Sequence, residues 1–186
     1  MRFIETLLIS DKIENLELHN IRMNKTRKDF FNLPPLDLKD YVQIIPNKRV
    51  RVTYSKEIEN IQYFEINKRE FKTFKIVYCD DIDYSYKYAD RKHLNALKPA
   101  KVDEIFIIKN NLITDSTISN LAFFDGKEWL TPKTPLLKGT KREELISKNL
   151  LTPTDISPNE LKNFSKIALI NAVLGFFIIE DFDIIL

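Results

Sequence analysis

Four places in the chain set a reactive side chain in a suggestive context. Arg22 falls early on a helical stretch, and Lys87 lies among tyrosines in Tyr84-Ser85-Tyr86-Lys87-Tyr88. Asp115 follows a strand and precedes Ser116-Thr117-Ile118-Ser119-Asn120, and Gly139-Thr140 stands where a helix opens. A guanidinium fork and a helix N-terminus suit an anion. A lysine amine suits covalent or proton-transfer chemistry. Taken singly, each residue also has an ordinary reading. Lys87 is then a solvated surface charge, Asp115 a turn cap and Arg22 a surface cation on an amphipathic helix.

The elements that must position these residues can be read from hydrophobic periodicity. Residues 3–9 read as a strand and 17–31 as a helix, stopped by Pro34-Pro35. On that helix His19, Arg22 and Thr26 share a stripe, beside a face holding Leu18 and Ile21. A short helical piece is expected near 36–45. Strands follow at 49–54, 61–66 and 73–78. Residues 79–90 match neither period and mark an inter-lobe segment. After a short helix at 91–97, strands are expected at 104–109, 112–114, 119–124 and 128–131, with hairpin turns at Asn110-Asn111 and Asp125-Gly126. A helix opens at Gly139 and runs to about Lys148, and strands at 166–171 and 176–180 close the chain. Strands outnumber helices, so the class is α+β. The expected organisation is a small N-terminal lobe over 1–79, an inter-lobe segment over 80–90 and a C-terminal lobe over 91–186.

Composition narrows the functional classes. The 186 residues are 44% hydrophobic and 30% charged, enough for a substantial core. A net charge of +2 gives no nucleic-acid footprint. Three glycines, Gly126, Gly139 and Gly175, are too far apart for a dinucleotide turn or a phosphate loop. One cysteine, Cys79, excludes an intrachain disulfide and a cysteine-rich zinc site. Cys79 reads as a packing residue at a strand end and His93 as a surface residue. His19 and His93 are far apart in sequence, so no metal is expected. No apolar run reaches a membrane span. The start of the chain lacks a signal peptide's apolar region, and the expectation is a cytoplasmic protein.

The order of the motifs carries more than any one of them. Phe3-Ile4-Glu5-Thr6 resembles the F-E-T strand of the class IV pyridoxal-phosphate enzymes, and His19-Asn20-Ile21-Arg22 resembles their H-x-x-R helix. Lys87-Tyr88-Ala89-Asp90-Arg91 is similar to K-x-x-N-R, and Val102-Asp103-Glu104-Ile105 to A-D-E-A. Thr114-Asp115 through Asn120-Leu121 resembles T-E-x-x-x-x-N-L. Thr131-Pro132 and Leu137-Lys138-Gly139-Thr140-Lys141-Arg142 follow T-P…L-x-G-I-T-R, and Ile170-Asn171-Ala172-Val173 stands where the family has a T-N-S-L-like segment. That family includes aminodeoxychorismate lyase and the branched-chain and D-amino-acid aminotransferases. The lyase-type members are the nearest in pattern. Two replacements depart from it: Asp115 for the family's glutamate and Asp90 for its asparagine. The spacing from Arg22 to Lys87 is short.

The resemblance implies a two-lobed, D-amino-acid aminotransferase-like fold (fold type IV) with a trimmed N-terminal lobe, pyridoxal 5'-phosphate as cofactor, and a homodimer. It implies that Lys87 carries the cofactor as a Schiff base and shuttles protons, and that Asp115 holds the pyridine nitrogen protonated. Arg22, with the backbone N–H groups of Thr140 and Lys141, would hold the phosphate. Ser119 would lie near the ring and Asn171 near the phosphate. His19 would support Arg22, and Thr6 would assist proton delivery. The substrate would be a small amino or carboxylate compound. The leading reading is a lyase that releases pyruvate from 4-amino-4-deoxychorismate and leaves 4-aminobenzoate for folate synthesis. The alternatives are a branched-chain or D-amino-acid aminotransferase, and a paralogue that binds cofactor without catalysis.

Overall fold

Phe3–Ile9 (β1) alternates around one inward acid. Phe3, Leu7 and Ile9 point to a buried apolar cluster, and Glu5 sits on the same face between them. The structure, a computed structural model, describes residues 1–185. It divides into two units: Met1–Lys68 with Tyr86–Asp90, and Arg69–Ser85 with the chain from Arg91 onward.

In the first unit β1 pairs antiparallel with Lys48–Tyr54 (β2), which pairs with Ile58–Glu65 (β3). One helix, Leu16–Phe31 (α1), lies against this sheet. It ends where Asn32 takes a left-handed conformation, φ 52°, and donates its N–H to Lys28 O. Its buried residues are His19, Met23, Thr26 and Arg27, while Ile21 is exposed. The helix thus buries a largely polar stripe, because its partner on β1 is the carboxylate of Glu5. Arg27 is satisfied by the carbonyls of Lys56 and Pro34. Asn20 and Asn24 hold the following chain through Asp37, Leu38 and Leu36. The helical piece expected near 36–45 is one 3-10 turn, Leu38–Asp40.

The second unit contains two sheets. Thr73–Tyr78 (β4), which the pattern groups with the first-lobe strands, instead pairs in parallel with Glu104–Lys109 (β5). Parallel pairing needs a long crossover, and residues 79–103 supply it, including the short helix Lys92–Ala96 (α2). Residues 69–79 accordingly belong to the second unit and not to the first. Leu112–Ile113 (β6) returns from β5 through Asn110 and Asn111, both left-handed at φ 51° and 60°, as a two-residue hairpin demands.

The larger sheet is built on Asn120–Phe124 (β7), Trp129–Pro132 (β8), Thr152–Thr154 (β9), Lys166–Asn171 (β10) and Gly175–Ile179 (β11), in the order β11-β10-β7-β8-β9. Leu121 and Phe123 of β7, with Ile167 and Leu169 of β10, face a core shared with Phe74, Phe106 and Ile108. Ala122, Ala168 and Ile170 face the other way, toward Leu145 of Thr140–Ser147 (α3). Asp183–Ile185 (β12) adds in parallel to β4. This mixture of sheets and few helices bears out the α+β expectation. Among the described residues no helix is long and apolar enough to cross a membrane.

Candidate functional site

Each unit gathers its own set of the expected residues. In the first, Glu5 is fully buried and takes three hydrogen bonds from α1. His19 Nδ1 lies 2.6 Å from Oε2, Arg22 Nε donates to Oε1 at 2.9 Å, and Arg22 Nη2 to Oε2 at 2.5 Å. His19 and Arg22 stand three residues apart on the helix, so both reach the same carboxylate. Burial alone would raise the Glu5 pKa. The Arg22 charge and the His19 hydrogen bond outweigh it and bring the pKa down to about 2. Burial pushes the His19 pKa below its ordinary value, and the charges of Arg22 and Lys87 add to that. The Glu5 hydrogen bond and charge pull the other way, and because the ionised Glu5 can only accept, His19 donates to it from Nδ1. The carboxylate fixes the pitch of the guanidinium, and Glu5 is the residue whose role the sequence motifs left unassigned.

Lys87 is positioned by the edge of β1. Ile4 N–H donates to Lys87 O at 2.9 Å, Ala89 N–H donates to Arg2 O at 3.0 Å, and Phe3 bridges to Tyr88. Residues 87–89 thus extend the sheet antiparallel to β1. Tyr86 and Tyr88 pack on Phe3, on the α1 side, with Phe30 against Tyr86 at 4.8 Å between ring centroids. Alternation then places Lys87 on the opposite face, beside Ile4 and two residues along the strand from Thr6. Thr6 and Lys87 share one face of the sheet, and Arg22 approaches from the other.

In the second unit the centre is Asp115. A tight turn carries it: Ser116 N–H donates to Ser119 O at 2.9 Å, and the two serine hydroxyls are 2.8 Å apart. Buried Glu104 braces the turn by accepting from the Thr117 hydroxyl and N–H. Asp115 Oδ1 accepts from Asn120 Nδ2 at 2.7 Å and Oδ2 from Leu137 N–H at 2.9 Å. The donors are neutral and the carboxyl is buried. Burial pushes its pKa up to about 6, against the pull of those hydrogen bonds and the charge of Arg142.

The same network reaches the start of α3. Asn120 Nδ2 also donates to Leu137 O at 2.7 Å. Gly139 caps the helix, and a β-carbon there would stand 2.0 Å from Asn120 Oδ1, so only glycine lets the helix start approach this side chain. Thr140 is buried at the first helical position. The Lys141 side chain turns to Glu144, leaving its backbone to any ligand role. Buried Arg142 pins the helix through Thr131 Oγ1 and Pro132 O. Asn171 caps the β10–β11 turn by accepting from Val173 and Leu174 N–H, and donates to Ile118 O at 3.2 Å. Asp115, Ser119, Thr140 and Asn171 are therefore held around one loop, residues 114–120. Asn120 and the Leu137 backbone are its unforeseen members.

Residues 8–182 match the model of the amino-transferase class IV family. The chain belongs to that family. A Haemophilus influenzae protein described only as uncharacterized is 39% identical over 182 residues, 92% of this chain and 97% of its own. A Haemophilus somnus protein described as a "putative 4-amino-4-deoxychorismate lyase" is 34% identical. Its crystal structure superposes with a TM-score of 0.86 over 94% of this chain and 97% of that one. The pyridoxal-phosphate-bound form of a hypothetical aminotransferase from Mycobacterium tuberculosis shares the fold, with a TM-score of 0.76 at 15% identity. The alignment covers 98% of this chain and 81% of that one. The fold is thus that of the type IV enzymes, in a form shorter than the mycobacterial chain, and the class IV protein is an enzyme of the pyridoxal-phosphate-dependent type.

The residues present fit such a cofactor. Asp115 is a buried acid served by neutral donors alone, and an ionised carboxylate has about four acceptor positions, which Asn120 and Leu137 do not exhaust. A protonated ring nitrogen is the kind of partner it lacks. In the first unit Arg22, pre-aimed by Glu5, suits an anion, and in the second the glycine-capped start of α3 does so too.

Proposed function

We propose that this class IV enzyme is a pyridoxal-phosphate-dependent lyase converting 4-amino-4-deoxychorismate to 4-aminobenzoate and pyruvate. When bound, pyridoxal phosphate supplies an electron sink for the substrate's amine-bearing carbon. In this reading Lys87 would hold the cofactor, and its amine would take the proton from that carbon. Asp115 keeps the ring nitrogen protonated. Its raised pKa suits it to pair with a cation, because ionising beside one removes the cost of burying the charge alone. Arg22 and the Thr140 and Lys141 backbone amides hold the phosphate, with Ser119 and Asn171 as further contacts.

The observation that carries the lyase reading is the register of β1 with the Lys87 segment. It sets the Thr6 hydroxyl on the same sheet face as Lys87, two residues along. Lyase chemistry needs a proton given to the departing enolpyruvyl carbon as well as one removed from the ring. A hydroxyl beside the lysine supplies the second carrier. The 34% identity to the Haemophilus somnus protein supports the same choice.

The test is incubation of purified, cofactor-loaded protein with 4-amino-4-deoxychorismate, and separately with an amino acid plus 2-oxoglutarate. Stoichiometric 4-aminobenzoate and pyruvate, lost in Lys87→Ala and sharply slowed in Thr6→Val, are the expected result. Amino-group transfer to 2-oxoglutarate without pyruvate release would make it an aminotransferase, and no product in either assay a non-catalytic binder. Borohydride reduction and peptide mapping should place the cofactor adduct on Lys87.

A further inference from the structure

We propose that Cys79, Asp81 and His93 form a zinc(II) site that clips the base of the chain segment carrying Lys87. One ligand atom from each of the three residues lies within 4.8 Å of the other two. The trio offers a thiol sulfur, an imidazole nitrogen and a carboxylate oxygen, a donor set that suits zinc over calcium or magnesium. A single cysteine and two distant histidines ruled out cysteine-rich and multi-histidine sites, but not a mixed one assembled by the crossover after β4.

The backbone on which the ligands stand is held in place. Cys79 continues the β4–β5 ladder, donating its N–H to Ile108 O at 2.9 Å. Ile82 is buried, and its carbonyl is held by Lys109 Nζ at 2.6 Å. On the other side buried Leu94 anchors α2 and leaves His93 exposed. Of the nearby acids, Asp80 accepts from Asn110 N–H and Asp83 from Ser85. Asp81 instead turns to the thiol, with Cys79 Sγ 3.2 Å from its Oδ1. Three protein ligands leave a fourth position for water. The charge of Lys109 also reaches Asp81 and works against a dication, so binding weaker than that of a closed structural zinc site is expected.

The position gives the site a consequence. Cys79 and Asp81 precede, and His93 follows, the residues Tyr86–Asp90 that leave the second unit to pair with β1. A metal joining the two stems closes the loop that presents Lys87 and narrows its freedom.

The experiment is titration of purified, cofactor-loaded protein with zinc and, as a spectroscopic stand-in, cobalt(II). One ion per chain is expected, with a thiolate-to-cobalt charge-transfer absorption. That absorption should vanish in Cys79→Ser, and zinc affinity should fall roughly tenfold or more in His93→Gln, an exposed position whose replacement spares the fold. The cofactor absorbance should survive in both variants. Absence of zinc binding up to about 100 µM would overturn the proposal. So would a cobalt spectrum without thiolate character, or affinities unchanged in the Cys79→Ser/His93→Gln double variant.

Discussion

In the cofactor-free protein Asp115 should make the fold less stable as pH rises. Its carboxyl is buried against Asn120 and Leu137, and its pKa is pushed from 3.8 up to about 6. Between those values the folded chain keeps the proton and the unfolded chain releases it, so stability is fully present below about pH 4 and declines as pH climbs through 6. The displacement corresponds to about 3 kcal/mol. Asp115→Asn removes the titration. The amide also sets an NH2 against one of the two donors, which adds a cost that does not vary with pH. The slope, not the offset, is therefore diagnostic. Urea unfolding of wild type and variant from about pH 4 to 8 should show the gap between them shifting by about 2.5 kcal/mol, with wild type losing ground. Other titrating groups, such as Glu104 and His19, contribute equally to both chains and cancel. Adding pyridoxal phosphate should flatten the wild-type curve, because a ring cation then pairs with the carboxylate. Parallel curves for the two chains would refute the reasoning and return Asp115 to an ordinary turn residue.

Three further outcomes can be measured. Arg22→Ala should lower folding stability as well as cofactor affinity, by about 3 kcal/mol, because it strips a buried carboxylate of its cation. Denaturation unchanged within about 0.5 kcal/mol would show that His19 alone satisfies Glu5. Gly139→Ala should displace Asn120 and cost about 1–3 kcal/mol of stability, with weaker cofactor binding visible in the same protein by absorbance titration. We also propose a homodimer, with a symmetric interface burying over about 1,000 Å². Sedimentation showing a fully active monomer would contradict it.

Much of the framework was legible because single strands and turns write local patterns. Phe3–Ile9, Thr73–Tyr78 and Glu104–Lys109 appear at the expected positions, and Asn110-Asn111 turns as its residue types require. Pairing was less legible. The strand 73–78 follows two antiparallel neighbours in sequence, yet its partners β5 and β12 lie far along the chain. Nothing in its own alternation encodes a parallel crossover. Thr152–Thr154 and Asp183–Ile185 are short edge strands, the former interrupted by Pro153, and periodicity cannot register three residues.

The candidate site divides along the same line. Lys87, Arg22 and Asp115 could be proposed from the order of the motifs, because covalent, anion-binding and acidic roles would restrict residue type at those points. Their supports could not, since a carboxylate's partners are chosen by folding and not by spacing. Glu5 was visible as an acid in an otherwise apolar strand position, and that misfit was the available signal. An inward charge flanked by Phe3 and Leu7 must be paired, and the helical stripe His19–Arg22 is what the fold brings to pair it. Asn120 gave a weaker signal. Its amide is shared between Asp115 and Leu137 O, and Gly139 lacks a side chain because that amide is there. The glycine that sequence reading credits with opening a helix is thus needed first to make room for the residue that orients the acid. One missing β-carbon couples the start of α3 to the carboxylate at the centre of the second unit.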